Sequence, residues 1–264
     1  MDPTDDPSNI IVEITDLRVS RSNNRVIESA NLLVERGDYV GICGPNGGGK
    51  TSLLLSILGQ LPRDSGEIRL FGSDLDDFNE WHRLAFVSQN AVNFDPHFPM
   101  TVRELVGLGR VTGRNLGRRL REEDWEKVDQ AMEMMSISDL ADRRIGRLSG
   151  GQKQRMFVAK ALVRDPDLLL LDEPLSGVDA QTTESFYKIL SNLNIKRGTT
   201  IVVVSHDLTA VFCRMNRVIC VNRWVHSAMI TPDLDTDGLL KKAYGDHFHF
   251  TFHRQSYQGE FKDV

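Results

Sequence analysis

Five short stretches of this chain combine residue types that could act on phosphate. "GPNGGGKT", Gly44 to Thr51, fills every position of the pattern G-x-x-x-x-G-K-[ST]. In such a loop Gly44, Gly47, Gly48 and Gly49, with Pro45 and Asn46 between them, let backbone N–H groups wrap phosphate oxygens. Lys50 then reaches the β and γ phosphates, and the Thr51 hydroxyl can coordinate Mg²⁺. Asp172 and Glu173 close the apolar run "LLLL"; Asp172 suits the Mg²⁺ shell, and Glu173 suits a base or a water-positioning group for attack on the γ-phosphoryl. Gln89 and His206 follow two further apolar runs, where Gln89 could orient water or Mg²⁺ and His206 could donate to the γ-phosphate. The fifth stretch, "LSGGQKQR" from Leu148, contains no histidine, cysteine or carboxylate that could act as acid, base or nucleophile. Ser149 can cap a helix there, and Gly150 and Gly151 leave backbone N–H groups bare ahead of Gln152, a second place for an anion.

These residues need elements that carry them to one place. "YVGIC" precedes Gly44, "LAFVS" precedes Gln89, "LLLL" precedes Asp172 and "TIVVVS" precedes His206. Continuous apolar runs suit parallel strands covered on both faces, and ligands of open α/β sheets sit beyond the carboxyl ends of such strands, so all four exits could face one ligand. "TSLLLSIL" ends at Gly59 with Pro62 beyond, which predicts a helix directly after the glycine loop. From Asn90 to Asp165 strand signals are few, and "TVRELVGLG" and "EEDWEKVDQAMEMM" predict two helices of an inserted subdomain, with Met132, Met134 and Met135 as core fillers. Between them Arg110, Arg114, Arg118, Arg119 and Arg121 lie among glycines, a solvated loop or a contact for an anionic partner.

The chain has 264 residues, 40% hydrophobic and 26% charged, with ordinary globular usage and enough length for a sizeable core. A net charge of -5 argues against a dedicated nucleic-acid binder, which needs a basic face. Cys43, Cys213 and Cys220 are odd in number and form no CxxC pair, which fits a reducing compartment. No apolar run approaches the roughly 18 residues of a membrane span, and the acidic start "MDPTDDPSNI" has no apolar signal core.

In this order and spacing, "GPNGGGKT", the glutamine after the next strand, "LSGGQ", "LLLLDEP", "SGVD" and "VSHD" resemble the nucleotide-binding domain of ABC ATPases. The resemblance spans roughly residues 9 to 225, and the complete "LSGGQ" is far more specific than a phosphate loop, which many NTPases share. It implies an α/β fold: a P-loop NTPase core with a parallel-rich sheet plus an inserted helical subdomain. Within one 264-residue domain it assigns 9–89 and 166–225 to the core, 90–165 to the helical subdomain and 226–264 to a tail. It makes Gly44–Ser52 the phosphate loop, Gln89 the coupling glutamine, Leu148–Gln152 the signature and Asp172 the magnesium aspartate. Glu173 becomes the catalytic carboxylate, Ser176–Asp179 the turn that crosses a dimer, and His206 the switch histidine. ATP and Mg²⁺ are the implied cofactors. In the family two chains pack head to tail, so the signature of one caps ATP held by the loop of the other, and the second anion cradle serves the partner's phosphate.

A chain without spans implies a separate multispan permease, with an extracytoplasmic substrate-binding protein acting beside it, and a place at the inner face of the membrane. "FDPHFPMTVRELVGLGR" and "AYGDHFHFTFH" resemble subunits of zinc, manganese or iron importers, and a siderophore importer shares much of the first stretch. The competing class is the soluble ATPase of iron–sulfur cluster assembly. A DNA-repair ATPase needs a long coiled coil between Gln89 and Leu148, and the interval is too short for it. One departure is plain: the family usually stacks an aromatic on adenine near the equivalent of Arg21, and here no aromatic is present, although the guanidinium plane of Arg21 could stack instead. In the tail, His247, His249 and His253 are candidate transition-metal ligands. "DLDTDG" mimics the start of a calcium loop but has Tyr244 where a bidentate glutamate is needed.

Overall fold

The computed structural model describes residues 9–92, 97–113, 115–175 and 177–247. Two compact units divide the chain: Met1–Asp77 with Val204–Val264, and Phe78–Val203. The candidate residues Arg114, Ser176, His249 and His253 lie outside the described residues.

The first unit begins with two long strands, β1 (Ile10–Arg21) and β2 (Asn24–Glu35), paired antiparallel with Arg21 opposite Asn24. Their turn is Ser22-Asn23, both at positive φ (50° and 64°), the backbone that twists a two-residue hairpin the right way. Arg21 therefore sits exposed at the tip of a hairpin. β3 (Tyr39–Cys43) is buried throughout and leads through the glycine loop into α1 (Lys50–Ile57). β4 (Ser65–Leu70) pairs antiparallel with β1, and β5 (Ser73–Asp74) with β4. After α6 (Leu208–Arg214), β9 (Arg217–Asn222) runs parallel to β3, and β10 (Trp224–Met229) turns back antiparallel on β9 and meets β2 in parallel. The order in this unit is β5-β4-β1-β2-β10-β9-β3. Its antiparallel half was not foreseen, because only the continuously apolar runs stood out, whereas β1 and β2 alternate buried and exposed residues as half-covered strands do.

α7 (Thr236–Tyr244) closes the described chain, with Leu239, Leu240 and Ala243 buried. Its N-cap is Asp235, whose carboxylate accepts from the Gly238 amide at 2.9 Å. "DLDTDG" is thus the start of a helix, and the acidic spacing that mimics a calcium loop is cap chemistry.

The second unit holds β6 (Leu84–Val87), β7 (Leu168–Asp172) and β8 (Thr200–Val204), in the order β8-β7-β6 with β6 and β7 parallel. Between β6 and β7 come α2 (Val102–Gly107), α3 (Glu122–Met134) and α4 (Gly150–Leu162), and α5 (Ala180–Arg197) links β7 to β8. Thr101 and Glu104 form a reciprocal capping box at the start of α2. Met132 and Met135 are fully buried, as core fillers should be, while Met134 is half-buried. All four runs read as strands and both predicted helices are present; α3 ends at Met134, and α2 passes into a 3₁₀ turn at Leu108. Among the described residues no helix is long and apolar enough to cross a membrane.

Cys43 and Cys220 face each other across β3 and β9 with their Sγ atoms 3.2 Å apart, both as free thiols. The hydrogen bond between them and their burial push the Cys220 thiol far above its ordinary range, so it stays protonated.

Of the arginines between the two predicted helices, Arg118, Arg119 and Arg121 are exposed, but Arg110 is structural. Its Nε donates to Asp124 at 2.9 Å and its Nη1 to the Val163 carbonyl at 3.1 Å, which ties the end of α2 to α3 and α4. The Arg121 backbone amide, and then Arg110, hold the Asp124 carboxyl below its usual range. That contribution to stability is present above the ordinary carboxylate value near 4 and is lost as pH falls through the lower folded value. Arg110→Ala should cost about 1 to 3 kcal/mol at neutral pH, as charge-assisted hydrogen bonds do. Thermal melts at neutral and acid pH check this: the gap between wild type and variant should shrink in acid.

Candidate nucleotide site

In the first unit the loop from Gly44 is built on the ends of two strands. Gly44 has φ 144°, and a Cβ there would overlap the Val221 carbonyl at the end of β9, so both the conformation and the contact demand glycine. The Arg223 amide donates to the Gly48 carbonyl at 2.9 Å, holding the far side of the loop to the same turn. Asn46 and Gly47 form its exposed apex. The buried Lys50 ammonium folds back to donate to the carbonyls of Gly44 (3.0 Å) and Pro45 (3.1 Å), which places a positive charge at the centre of the loop.

α1 differs from every other α-helix described here. Thr101, Ser149, Asp179, Asp207 and Asp235 cap α2, α4, α5, α6 and α7 with a side chain, and α3 opens with Glu122, Glu123 and Asp124. α1 is capped by Gly49 in a left-handed conformation, with no side-chain cap and no acid in its first turn. Its N-terminus, with Lys50 and Thr51 as first residues and Ser52 buried behind them, is therefore the one left electropositive for an anion.

His206 belongs to this unit. The Ser205 amide donates to the Ile42 carbonyl at 3.0 Å, setting the exit that carries His206 beside the exit of β3. Ser205 Oγ accepts from the Asp207 amide and Asp207 caps α6 through the Ala210 amide, so the exposed histidine stands between two residues fixed by backbone hydrogen bonds. Asp207, the last residue of "VSHD", stands just before an apolar helical run, where an aspartate is a cap signal.

In the second unit two more strand exits converge. Gln89 Nε2 donates to Glu173 Oε2 at 2.9 Å. Glu173 has φ 45°, a left-handed backbone that costs a non-glycine residue on the order of 1 kcal/mol and turns the chain sharply after Asp172. Asp172 itself is buried at the end of β7.

The "LSGGQ" stretch opens α4 as expected, through a reciprocal cap: Ser149 Oγ accepts from the Gln152 amide at 3.3 Å, and Gln152 Oε1 accepts from the Ser149 amide at 3.0 Å. Gly150 is exposed, with open space where a Cβ would stand. Gly151 is buried, and a Cβ there would overlap the Thr182 methyl in the first turn of α5. Asp179 caps that helix through the Thr182 amide at 2.9 Å, and this bond holds its carboxyl below the usual range.

Tyr244 was missed altogether as a neighbour of the loop. Its hydroxyl accepts from the Gly44 amide at 2.9 Å, and no motif or spacing in the sequence announces it. His247 lies in an exposed turn after α7. Among the described residues no group of three or more His, Cys, Asp or Glu side chains is placed to hold a metal ion.

The family described as ABC transporter matches residues 27–176. The zinc uptake system ATP-binding protein ZurA of Listeria innocua is 40% identical over 215 residues, covering 81% of this chain and 84% of the relative. The manganese transport system ATP-binding protein MntB of Bacillus subtilis is 34% identical, over 90% of this chain and 96% of the relative. Among solved structures, an inward-facing conformation of a putative metal-chelate type ABC transporter superposes with a TM-score of 0.77 at 25% identity, covering 89% of this chain and 88% of that one.

Because the Gly44 contact is with backbone, which cannot move aside, Gly44→Ala should lower the melting temperature and remove nucleotide retention together. Gly150→Ala, whose added methyl meets open space, should leave the melting temperature within about 1 °C of wild type. Differential scanning fluorimetry of the two variants is the check.

Proposed function

From the premise that this chain belongs to the ABC transporter family, we propose that it is the ATP-hydrolysing subunit that powers a separate membrane permease importing a transition-metal ion or its chelate. The observation that carries the ATPase part is the loop from Gly44 to Thr51, with the Lys50 ammonium at its centre and the uncapped start of α1 behind it. The metal part rests on the zinc and manganese systems of which the similar chains are ATP-binding subunits. The soluble iron–sulfur assembly ATPase finds no support in those relatives.

In this reading the loop amides and Lys50 bind the β and γ phosphates of ATP, and the Ser52 region anchors the loop in α1. Thr51, Asp172 and Gln89 offer hydroxyl, carboxylate and amide oxygens, the oxygen-only donor set that suits Mg²⁺. Bound there, Mg²⁺ would neutralise charge on the phosphates. Glu173 accepts the proton of the attacking water, and its hydrogen bond with Gln89 couples that carboxylate to the segment entering the helical region. His206 donates to the γ-phosphoryl oxygens.

The signature Ser149–Gln152 serves a second copy of the chain, closing over ATP held by the partner's loop. Exposed Phe98, Leu108 and Leu116, the last 75% exposed, together with Arg118 and Arg119, support a permease contact on the helical region. The complex would sit at the inner face of the membrane, with an extracytoplasmic substrate-binding protein delivering the ion from the other side.

Glu173→Gln should keep ATP binding and lower turnover about a hundredfold or more, the size of a general-base contribution. In that background ATP should convert the chain from monomer to dimer in size exclusion. Adding Ser149→Arg should abolish the dimer and leave monomer affinity for ATP within about twofold, since overpacking acts on the interface alone. A folded double variant that loses ATP binding as a monomer would show that the signature serves its own chain.

A further inference from the structure

α7 ends directly against the phosphate loop. Its buried face of Leu239, Leu240 and Ala243 fixes the helix in the first unit, and Asn222 Nδ2 donates to the Ala243 carbonyl at 2.8 Å, pinning its last turn. Asn222 directly precedes Arg223, whose amide holds Gly48, so one turn of chain grips both the loop and the helix end. Tyr244, the last residue of α7, then receives the Gly44 amide at 2.9 Å.

We propose that Tyr244 is a positioning residue of the nucleotide site, acting through Gly44 on the Lys50 ammonium. Gly44 has no side chain to restrain its rotation, and its φ of 144° lies where only glycine is comfortable. Its amide is held by Tyr244 and its carbonyl holds Lys50 Nζ at 3.0 Å, so the tyrosine hydroxyl sets the plane of the peptide entering Gly44. The carbonyl that locates the ammonium lies in the next peptide, joined to that plane through the Gly44 Cα, so fixing the entering peptide limits where this carbonyl can point. Burial, and then the nearby Cys43 thiol, push the Tyr244 hydroxyl up to about 12. It is therefore neutral at working pH and brings no negative charge to a loop that must receive phosphate.

This inference rests on the ATPase reading, and its test separates the two. Tyr244→Phe keeps the ring and removes the acceptor. In the full chain it should raise KM for ATP about five- to tenfold, the worth of one neutral hydrogen bond, with kcat within about twofold and the melting temperature nearly kept. Hydrogen exchange at the Gly44 amide should accelerate in the same variant. A variant that melts earlier with KM unmoved shows a merely structural tyrosine and overturns the proposal, as does an unchanged KM in a stable variant. If Tyr244→Phe fails to fold, Asn222→Ala releases the last turn of α7 with the tyrosine intact. KM should then rise in the same direction, and an unchanged KM overturns the proposal. Failure of the wild-type chain to hydrolyse ATP would strike the ATPase reading itself, whereas wild-type hydrolysis with an indifferent Tyr244→Phe strikes only this inference.

Discussion

The contact between Gly44 and the Val221 carbonyl is the constraint on which the nucleotide site depends. β3 must end where β9 ends for the two to meet, and the parallel register that sets Cys43 beside Cys220 delivers that coincidence. Once the loop lies against β9, its polypeptide has to rise over the strand ends, and the carbonyls of Gly44 and Pro45 turn inward to receive Lys50. The two small thiols beneath are buried, and that of Cys220 stays protonated, so it brings no negative charge under the loop to compete with phosphate for Lys50.

Helix capping sets α1 apart from the other described α-helices as the one whose first turn has neither a side-chain cap nor an acid. Six helices satisfy or neutralise their first turns with their own caps or acids, at about 1 kcal/mol per cap, while α1 is left to a glycine. The second unit stores strain where chemistry is proposed: Glu173 holds a left-handed backbone at the end of a fully buried strand, and its carboxylate accepts from the Gln89 amide. Close packing of Gly151 on Thr182 binds the start of α4 to the start of α5, so the signature and the Asp179 turn are one rigid feature.

Residues whose role is set by local chemistry were legible in the sequence. The glycine loop, the four apolar runs with their polar exits and the Ser149 cap follow from patterns of a few residues and are found where they were expected, as are Met132 and Met135 of the three core methionines, while Met134 is only half-buried. The antiparallel half of the first unit was less legible, because its strands alternate and lack an apolar run long enough to attract notice. Arg110 read as one of a group of loop arginines because sequence does not show that Asp124 and the Val163 carbonyl lie within its reach. Tyr244 was invisible for the same reason: it meets Gly44 from the other end of the chain, through packing that no local pattern encodes. Arg21, near which the family places an adenine-stacking aromatic, lies exposed at a hairpin tip.

The central claim is that the phosphates of ATP are read by the backbone of the Gly44 loop around one buried ammonium. Calorimetric titration of the purified chain with ATP and Mg²⁺, in wild type and in Lys50→Ala, tests it most directly. The account predicts saturable binding of ATP at one site per chain in wild type, weakened by about a hundredfold or more in the variant, as loss of a charged phosphate contact in a buried site requires. AMP, which lacks the β and γ phosphates, should bind weakly and equally to both. Equal affinity of the two proteins for ATP would contradict the claim.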